Sequence, residues 1–517
     1  MYRFIGAASH ACTRTSAAST SAYQRRLRGA IGWTPLAATF VCQKLVGVEQ
    51  CDRKDGVRRA FSFPDPMHQL NAAYESTNVG YAERADVQWL FVAGHRCVTP
   101  LTATAGDMMK KFVGLDLLRF GLAVYLMVFH TIREYPQNVD LPLMELTNLG
   151  GFATSTFFIL SGFILSHVYF GRTAALRGGT RDFLVKRLSN LYPVHLVSLA
   201  LLLVVSAAGT RTLDTFSLMS LDDGDPVVTL GHVAATFNFL LNLFLLQVWN
   251  PLYASINPPS WSLSTLLFFY IAFPVLGPRL LKAGHKERLL LVLWVLYLAP
   301  PVIAATMQWY GPVAVGVITR NPIMRLPEFL AGILLFGIYR EAQFAQVLHS
   351  RRKVVLALLF IAGSFVACAW LESHGPLSLR YIIHNGGLMP AEMLLVIVCT
   401  DLAVPQRFEG SCVRLGNAAL SIFAIHVPVF FIMMKALKLF SLGESPLWCM
   451  SNFSACVSAS KQVVPSMATY PLYLVVTVIA AVYFQERLLV PFRTLLRAQF
   501  LDKSPRDSGS AATRHRT

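Results

Sequence analysis

GLDLLRFGLAVYLMVFHT, Gly114 to Thr131, is an apolar run of membrane-spanning character interrupted by Arg119 and His130. The two are eleven residues apart, about three helical turns, so a helix carries both on nearly one face, roughly 16 Å apart along its axis. A guanidinium inside a bilayer costs at least ~2.5 kcal/mol, which proteins sustain where the group faces a polar cavity or a partner. The pair points to a buried site. The plainer reading is an Arg119 that snorkels and a His130 that sits at the interface.

Working outward, the rest of the chain has the same character. Charged residues make up 14% of the sequence and apolar ones 54%, with a mean hydropathy of +0.50. Apolar runs of about twenty residues recur, as expected for an integral α-helical membrane protein. The net charge of +17 does not indicate nucleic acid, because much of it lies in short loops between spans. Insertion topology places Lys and Arg in such loops. The nine cysteines show neither CxxC pairs nor metal-ligand spacing, and no metal is expected.

The expected spans are 112–131, 149–170, 187–208, 260–277, 288–309, 322–340, 354–372, 386–404, 417–440 and 468–490. Segment 231–249 is also apolar. Arg172, Arg177, Arg181, Lys186 and Arg187 after the second span mark the inner side, while Asp214, Asp222, Asp223 and Asp225 suit the outer side. If 231–249 crossed, Arg279, Lys282, Lys286 and Arg288 would face outward, with Arg493 and Arg497. The charge distribution therefore predicts an all-α polytopic membrane protein of about ten transmembrane helices, both termini inside, with 231–249 a re-entrant or interfacial segment. Asn238, Asn242 and Gln247 in that segment favour a protein-lined setting.

Residues 1–110 form a basic, Ser- and Ala-rich extension with no Asp or Glu before Glu49. The composition suits a transit peptide, a disordered extension, or an overlong start with initiation near Met108 or Met109. The last is preferred, because the pattern from Met108 onward is self-sufficient. Residues 111–492 are expected to be the membrane domain and 493–517 a basic cytoplasmic tail. Cys449 and Cys456 share an outer loop and are open to either a disulfide or two free thiols.

Five further clusters place polar residues in or beside spans. Ser161-Gly162, within FFILSGFIL, is expected to allow close helix packing. Lys186 and Arg187, in the stretch through Ser189, Asn190, Tyr192 and Pro193, suit phosphate binding at a helix start or simple topology. Asn257-Pro-Pro-Ser260-Trp261-Ser-Leu-Ser264 runs into Tyr270 and Pro274. There an interfacial Trp anchor and a Ser N-cap are the plain readings. Arg325 and Glu328 stand at i, i+3 and are expected to pair. Leu415-Gly416 precedes Ser421 and His426; a lone intramembrane His is ordinarily structural, but with His130 and two Arg residues elsewhere in the bundle the balance shifts toward function.

From Lys111 to Phe492 the chain resembles the acyltransferase 3 family of membrane O-acyltransferases. Arg119 and His130 resemble its Arg-x10-His signature, FFILSGFIL its second-helix signature, and Arg187 to Pro193 its Arg-x-x-Arg stretch. Trp261 to Ser264 with Tyr270 and Pro274, then Arg325, Glu328 and Gly332, then Leu415-Gly416 with Ser421 and His426, and finally Glu486 with Pro491, follow in the family's order. Two positions depart from it: Asn190 stands where the family has a second Arg, and Leu266 where it has Glu.

The resemblance implies transfer of an acyl group, commonly acetyl from acetyl-CoA, to a hydroxyl of a glycan or other cell-surface acceptor. It implies a lipid bilayer as setting and no nucleic-acid partner, and the plasma (inner) membrane is expected. His130 would act as base or transient acyl carrier, and Arg119 would orient it or stabilise charge on the thioester oxygen. Lys186 and Arg187 would receive the donor's phosphates, with Arg325 and His426 as further catalytic candidates. The departures weaken the grip on the donor and remove a carboxylate. A transporter or channel, or a catalytically silent relative acting through a partner, is the alternative.

Overall fold

The computed structural model describes residues 111–501, apart from 136, 138–143, 171–174, 208–212, 222–223, 225, 253–254, 342–349 and 444. The extension 1–110 and the tail beyond Leu501 lie outside the described residues, as do Arg172, Asp222, Asp223 and Asp225.

Helices α1 (Val113–Thr131), α2 (Gly150–Phe170) and α3 (Gly179–Ala207) come first. A small antiparallel pair, β1 (Thr215–Ser217) with β2 (Val227–Thr229), then leads to α4 (His232–Leu243). Next come α5 (Ser260–Lys282), α6 (Lys286–Thr306), α7 (Pro312–Arg320), α8 (Pro322–Arg340) and α9 (Arg351–His374). The remainder are α10 (Leu377–Ile382), α11 (Met389–Thr400), α12 (Gln406–Phe440), α13 (Pro446–Ser451), α14 (Phe453–Ser460), α15 (Tyr470–Phe484) and α16 (Val490–Leu501).

Among the described residues, ten helical stretches are long and apolar enough to cross a membrane. Each of α7–α8, α10–α11 and α15–α16 makes one of them. The protein is all-α and polytopic. Helix α4 has 12 residues, or ~18 Å, too short for a hydrocarbon layer of ~30 Å. Its polar residues turn into protein. Asn242 Nδ2 donates to the Asn238 carbonyl at 2.9 Å, and Asn242 Oδ1 accepts from the Ile256 amide at 3.0 Å. Its apolar side chains turn out, with Val233 86% exposed.

Two glycine-mediated crossings fix the centre of the bundle. On α2, a Cβ at Gly162 would lie 3.2 Å from Gly332 Cα and against the Phe329 carbonyl, while one at Gly332 on α8 would strike the Ile159 carbonyl. Only glycine lets these backbones meet, which is the packing role expected of Ser161-Gly162. Likewise a Cβ at Gly416 on α12 would lie 2.7 Å from Asp116 Cα on α1. Motif glycines thus set where the polar residues of α1, α2, α8 and α12 stand.

Three local expectations change. Helix α3 begins at Gly179, so Arg187 lies more than two turns inside it and is out of reach of its N-terminal amides. Pro259 occupies the N-cap of α5, and Ser260 donates to the Asn257 carbonyl at 2.7 Å instead of capping. The last span continues as helix to Leu501, so residues 493–501 pack as helix against α3. Cys449 and Cys456 form a disulfide.

Candidate active site

A cavity of about 110 Å³ lies at the centre, lined by Arg119, Ser161, Ser262, Leu266, Tyr270 and Phe423 among others. These come from α1, α2, α5 and α12, so four of the sequence clusters converge on one space. Arg119 Nη1 donates to Asp116 Oδ1 at 3.3 Å, one turn toward the N-terminus of α1. Leu266, the position without its carboxylate, is part of the wall.

Next to Phe423 of the cavity wall stand two imidazoles. The His130 and His426 rings stack with centroids 5.4 Å apart and planes 25° apart, and Phe423 lies 6.0 Å from His426. His426 is fully buried. Its Nδ1 is 3.2 Å from the Ile422 carbonyl, and its Nε2 has no partner among the described residues. If Nδ1 carries the hydrogen toward Ile422, Nε2 is left as a proton acceptor. The lone His read from the sequence is thus one of a pair. Arg119 turns toward Asp116, one turn further from His130 along a continuous α1. Arg320 and Arg133 lie within electrostatic range of His130.

Arg325 and Glu328 pair as their spacing predicts, at 3.0 Å, with side chains 1% and 0% exposed. Arg325 also donates to Tyr297 Oη at 2.7 Å and Ser155 Oγ at 2.8 Å, and the Tyr297 hydroxyl donates to Glu328 Oε1 at 2.7 Å. The guanidinium faces the rings of Phe158 and Trp261 at 5.7 and 5.9 Å. Phe158 lines the cavity and Arg325 does not, so Arg325 braces the wall from behind. Trp261 is part of that brace, packed edge-on to Phe158.

At the other end, the Arg187 guanidinium lies 4.9 Å from the centre of the Tyr169 ring. Lys186 pairs with Asp182 at 3.0 Å, so its charge is met locally. Asn190 Oδ1 accepts from Arg493 Nη1 at 3.0 Å. Tyr270 lies within electrostatic range of both Arg187 and Arg119.

Of the six candidate residues, the structure brings His130 and His426 together and places Arg119 with Tyr270 on one cavity wall. Arg325 stands behind the wall, and Lys186 is held by Asp182. Sequence reasoning did not select Tyr297, Arg493 or Glu392 as site residues, and named Tyr270 only as part of the motif that begins at Trp261. Glu392 on α11 is 2% exposed and within electrostatic range of Glu328 and Arg325. A carboxylate in the apolar run Met389–Thr400 was a sufficient signal for it. Among the described residues no group of three or more His, Cys, Asp or Glu is placed to hold a metal ion.

The family described as an acyltransferase domain matches residues 112–486. Acyltransferase MdmB of Streptomyces mycarofaciens is 31% identical over 342 residues, covering 62% of this chain and 79% of that relative. No solved structure matches. With ten apolar helices, a central cavity lined by the motif residues and a family match over most of its length, the chain belongs to the acyltransferase 3 family of integral membrane O-acyltransferases.

Proposed function

We propose that the protein transfers an acetyl group from acetyl-CoA to a hydroxyl of a glycan or another cell-surface acceptor, with the donor entering on the Arg187 side and the acceptor meeting it at the His130–His426 pair. The observation that carries this reading is the cavity lined by the motif residues Arg119, Ser161, Ser262 and Tyr270, with the stacked His130–His426 pair carried on two of the same helices, α1 and α12. A donor with a phosphorylated head and a long thioester arm suits a site that is cationic at one end and basic at the other. The positive-inside bias puts the Arg187 end in the cytoplasm, where acyl-CoA is made, and the plasma membrane is the natural setting.

In the reaction, the acceptor oxygen attacks the thioester carbonyl while His130 takes its proton. Collapse of the tetrahedral intermediate breaks the C–S bond, and the proton passes to the departing thiolate, giving an ester and free CoA. Imidazole can take up a proton on a ring nitrogen and give it back, so one group serves both transfers. His426 holds the His130 ring by stacking and offers Nε2 as a second proton site. Charge developing on the carbonyl oxygen is met by Arg320 in preference to Arg119. Leu266 fits a mechanism in which the base is imidazole alone.

The test is purified protein in nanodiscs with acetyl-CoA, read by thiol release, together with mass spectrometry of surface glycans and lipids from cells with and without the gene. Acceptor-dependent thiol release and a missing acetyl mass are expected. Solute flux in liposomes without acyl-CoA and no thiol release would overturn the reading.

A further inference from the structure

Position 190, where the family's second arginine is absent, is not empty of positive charge. Asn190 lies one turn beyond Arg187 on α3, at i+3, so both face the same neighbour. That neighbour is α16. Arg493 on α16 reaches across and donates from Nη1 to Asn190 Oδ1 at 3.0 Å. Arg187 and Arg497 are both within electrostatic range of Arg493. Arg493 and Arg497 are four residues apart, each half-buried, on the face of α16 that meets α3.

The placement of α16 is built in from both ends. A π-helical turn, Gln485–Leu489, shifts the helix register just before α16. Within that turn Glu486 is fixed by Arg414, with Arg414 Nη2 donating to Glu486 Oε2 at 2.8 Å. At the far end Arg181 Nη2 donates to the Phe500 carbonyl at 3.1 Å.

Like charges gathered in a half-buried place repel unless an anion joins them. Among the described residues no carboxylate lies within ion-pair distance of Arg187 or Arg493, and the described acids nearest to them in sequence, Asp182 and Glu486, are paired with Lys186 and Arg414. Arg187 Nε is buried with no hydrogen-bond partner. Two guanidinium groups on one helix–helix seam, neither with a carboxylate partner among the described residues, have the chemistry to hold a phosphate through paired N–H donors.

We propose that Arg493, supplied by the last helix, stands in for the arginine missing at position 190, and that Arg187 and Arg493 together bind a phosphate of the acyl donor, with Asn190 orienting Arg493. The inference rests on the acyl-CoA reading above. It replaces Lys186 with Arg493 as the second basic group of the donor site.

The test is steady-state kinetics in phosphatidylcholine nanodiscs, with and without phosphatidylglycerol, on wild type, Arg187→Ala, Arg493→Gln and the double variant Asn190→Arg/Arg493→Gln. Arg493→Gln should raise the KM for acetyl-CoA roughly tenfold in both lipids with a smaller change in kcat, as for loss of a contact made equally in ground and transition states. Moving the arginine to α3 in the double variant should bring KM back to within about threefold of wild type, which a merely structural role for Arg493 would not do. If Arg187→Ala raises the donor KM and Arg493→Gln does not, this inference fails and the donor reading stands. If neither changes it, both fail. An effect of Arg493→Gln seen only with phosphatidylglycerol assigns the phosphate to a lipid headgroup and overturns the proposal. Should Arg493→Gln not insert, the double variant decides alone: a KM near wild type supports the proposal, and a tenfold rise rejects it.

Discussion

Replacing Arg325 with alanine should damage the protein far more through stability than through chemistry. The guanidinium is 1% exposed and donates to Tyr297 and Ser155 at 2.7 and 2.8 Å while pairing with Glu328 at 3.0 Å. Its loss leaves the Glu328 carboxylate, itself 0% exposed, with the Tyr297 hydroxyl but no countercharge. Removing one partner of a buried pair costs about 3–5 kcal/mol, largely because the remaining charge is uncompensated. Whole domains are stable by only about 5–15 kcal/mol. The melting temperature of detergent-solubilised protein should fall by roughly 5–10 °C, followed as the monodisperse fraction after heating. Glu328→Gln should cost a similar amount, since it leaves the guanidinium buried without its anion. The double variant Arg325→Met/Glu328→Leu removes both charges and should be milder than the two single losses added together. Activity per folded molecule should fall less than stability, because Arg325 braces Phe158 and Trp261 and does not line the cavity. An Arg325→Ala protein that melts with wild type, or a double variant whose loss equals the sum of the singles, would refute the closed-network argument. A folded Arg325→Ala protein without turnover would place Arg325 in the chemistry instead.

His130→Ala should lower kcat by about 10²-fold or more, the order expected for loss of a general base. If His426→Ala does this and His130→Ala does not, the base is the other member of the stacked pair. Gly332→Ala puts a methyl into the Ile159 carbonyl at the α2–α8 crossing. It should cost at least ~1–3 kcal/mol, read as a lower melting temperature, and an unchanged one would show that the crossing yields. Cysteines at the exposed positions Lys282 and Arg288 should resist an impermeant thiol reagent added from outside, because α4 does not cross. Strong outside labelling at both would refute the proposed orientation.

The spans, their number and the non-crossing of 231–249 were legible in the linear sequence because bilayer insertion acts on local quantities. Twenty apolar residues bury themselves wherever they fall, and Lys and Arg choose a side loop by loop. The pairing of Arg325 with Glu328 was legible for the same reason, since i, i+3 on a helix is a local geometry. The arrangement of the site was not. Stacking of His130 on His426 joins residues almost three hundred positions apart, and the donation from Arg493 to Asn190 spans a similar separation. Both depend on which helices meet and at what height, and that is set where glycines such as Gly162, Gly332 and Gly416 let backbones touch. The family resemblance marked Asn190 as the place of a missing arginine. Tertiary structure placed another arginine beside it, because a guanidinium's position is fixed by packing, whichever helix carries it.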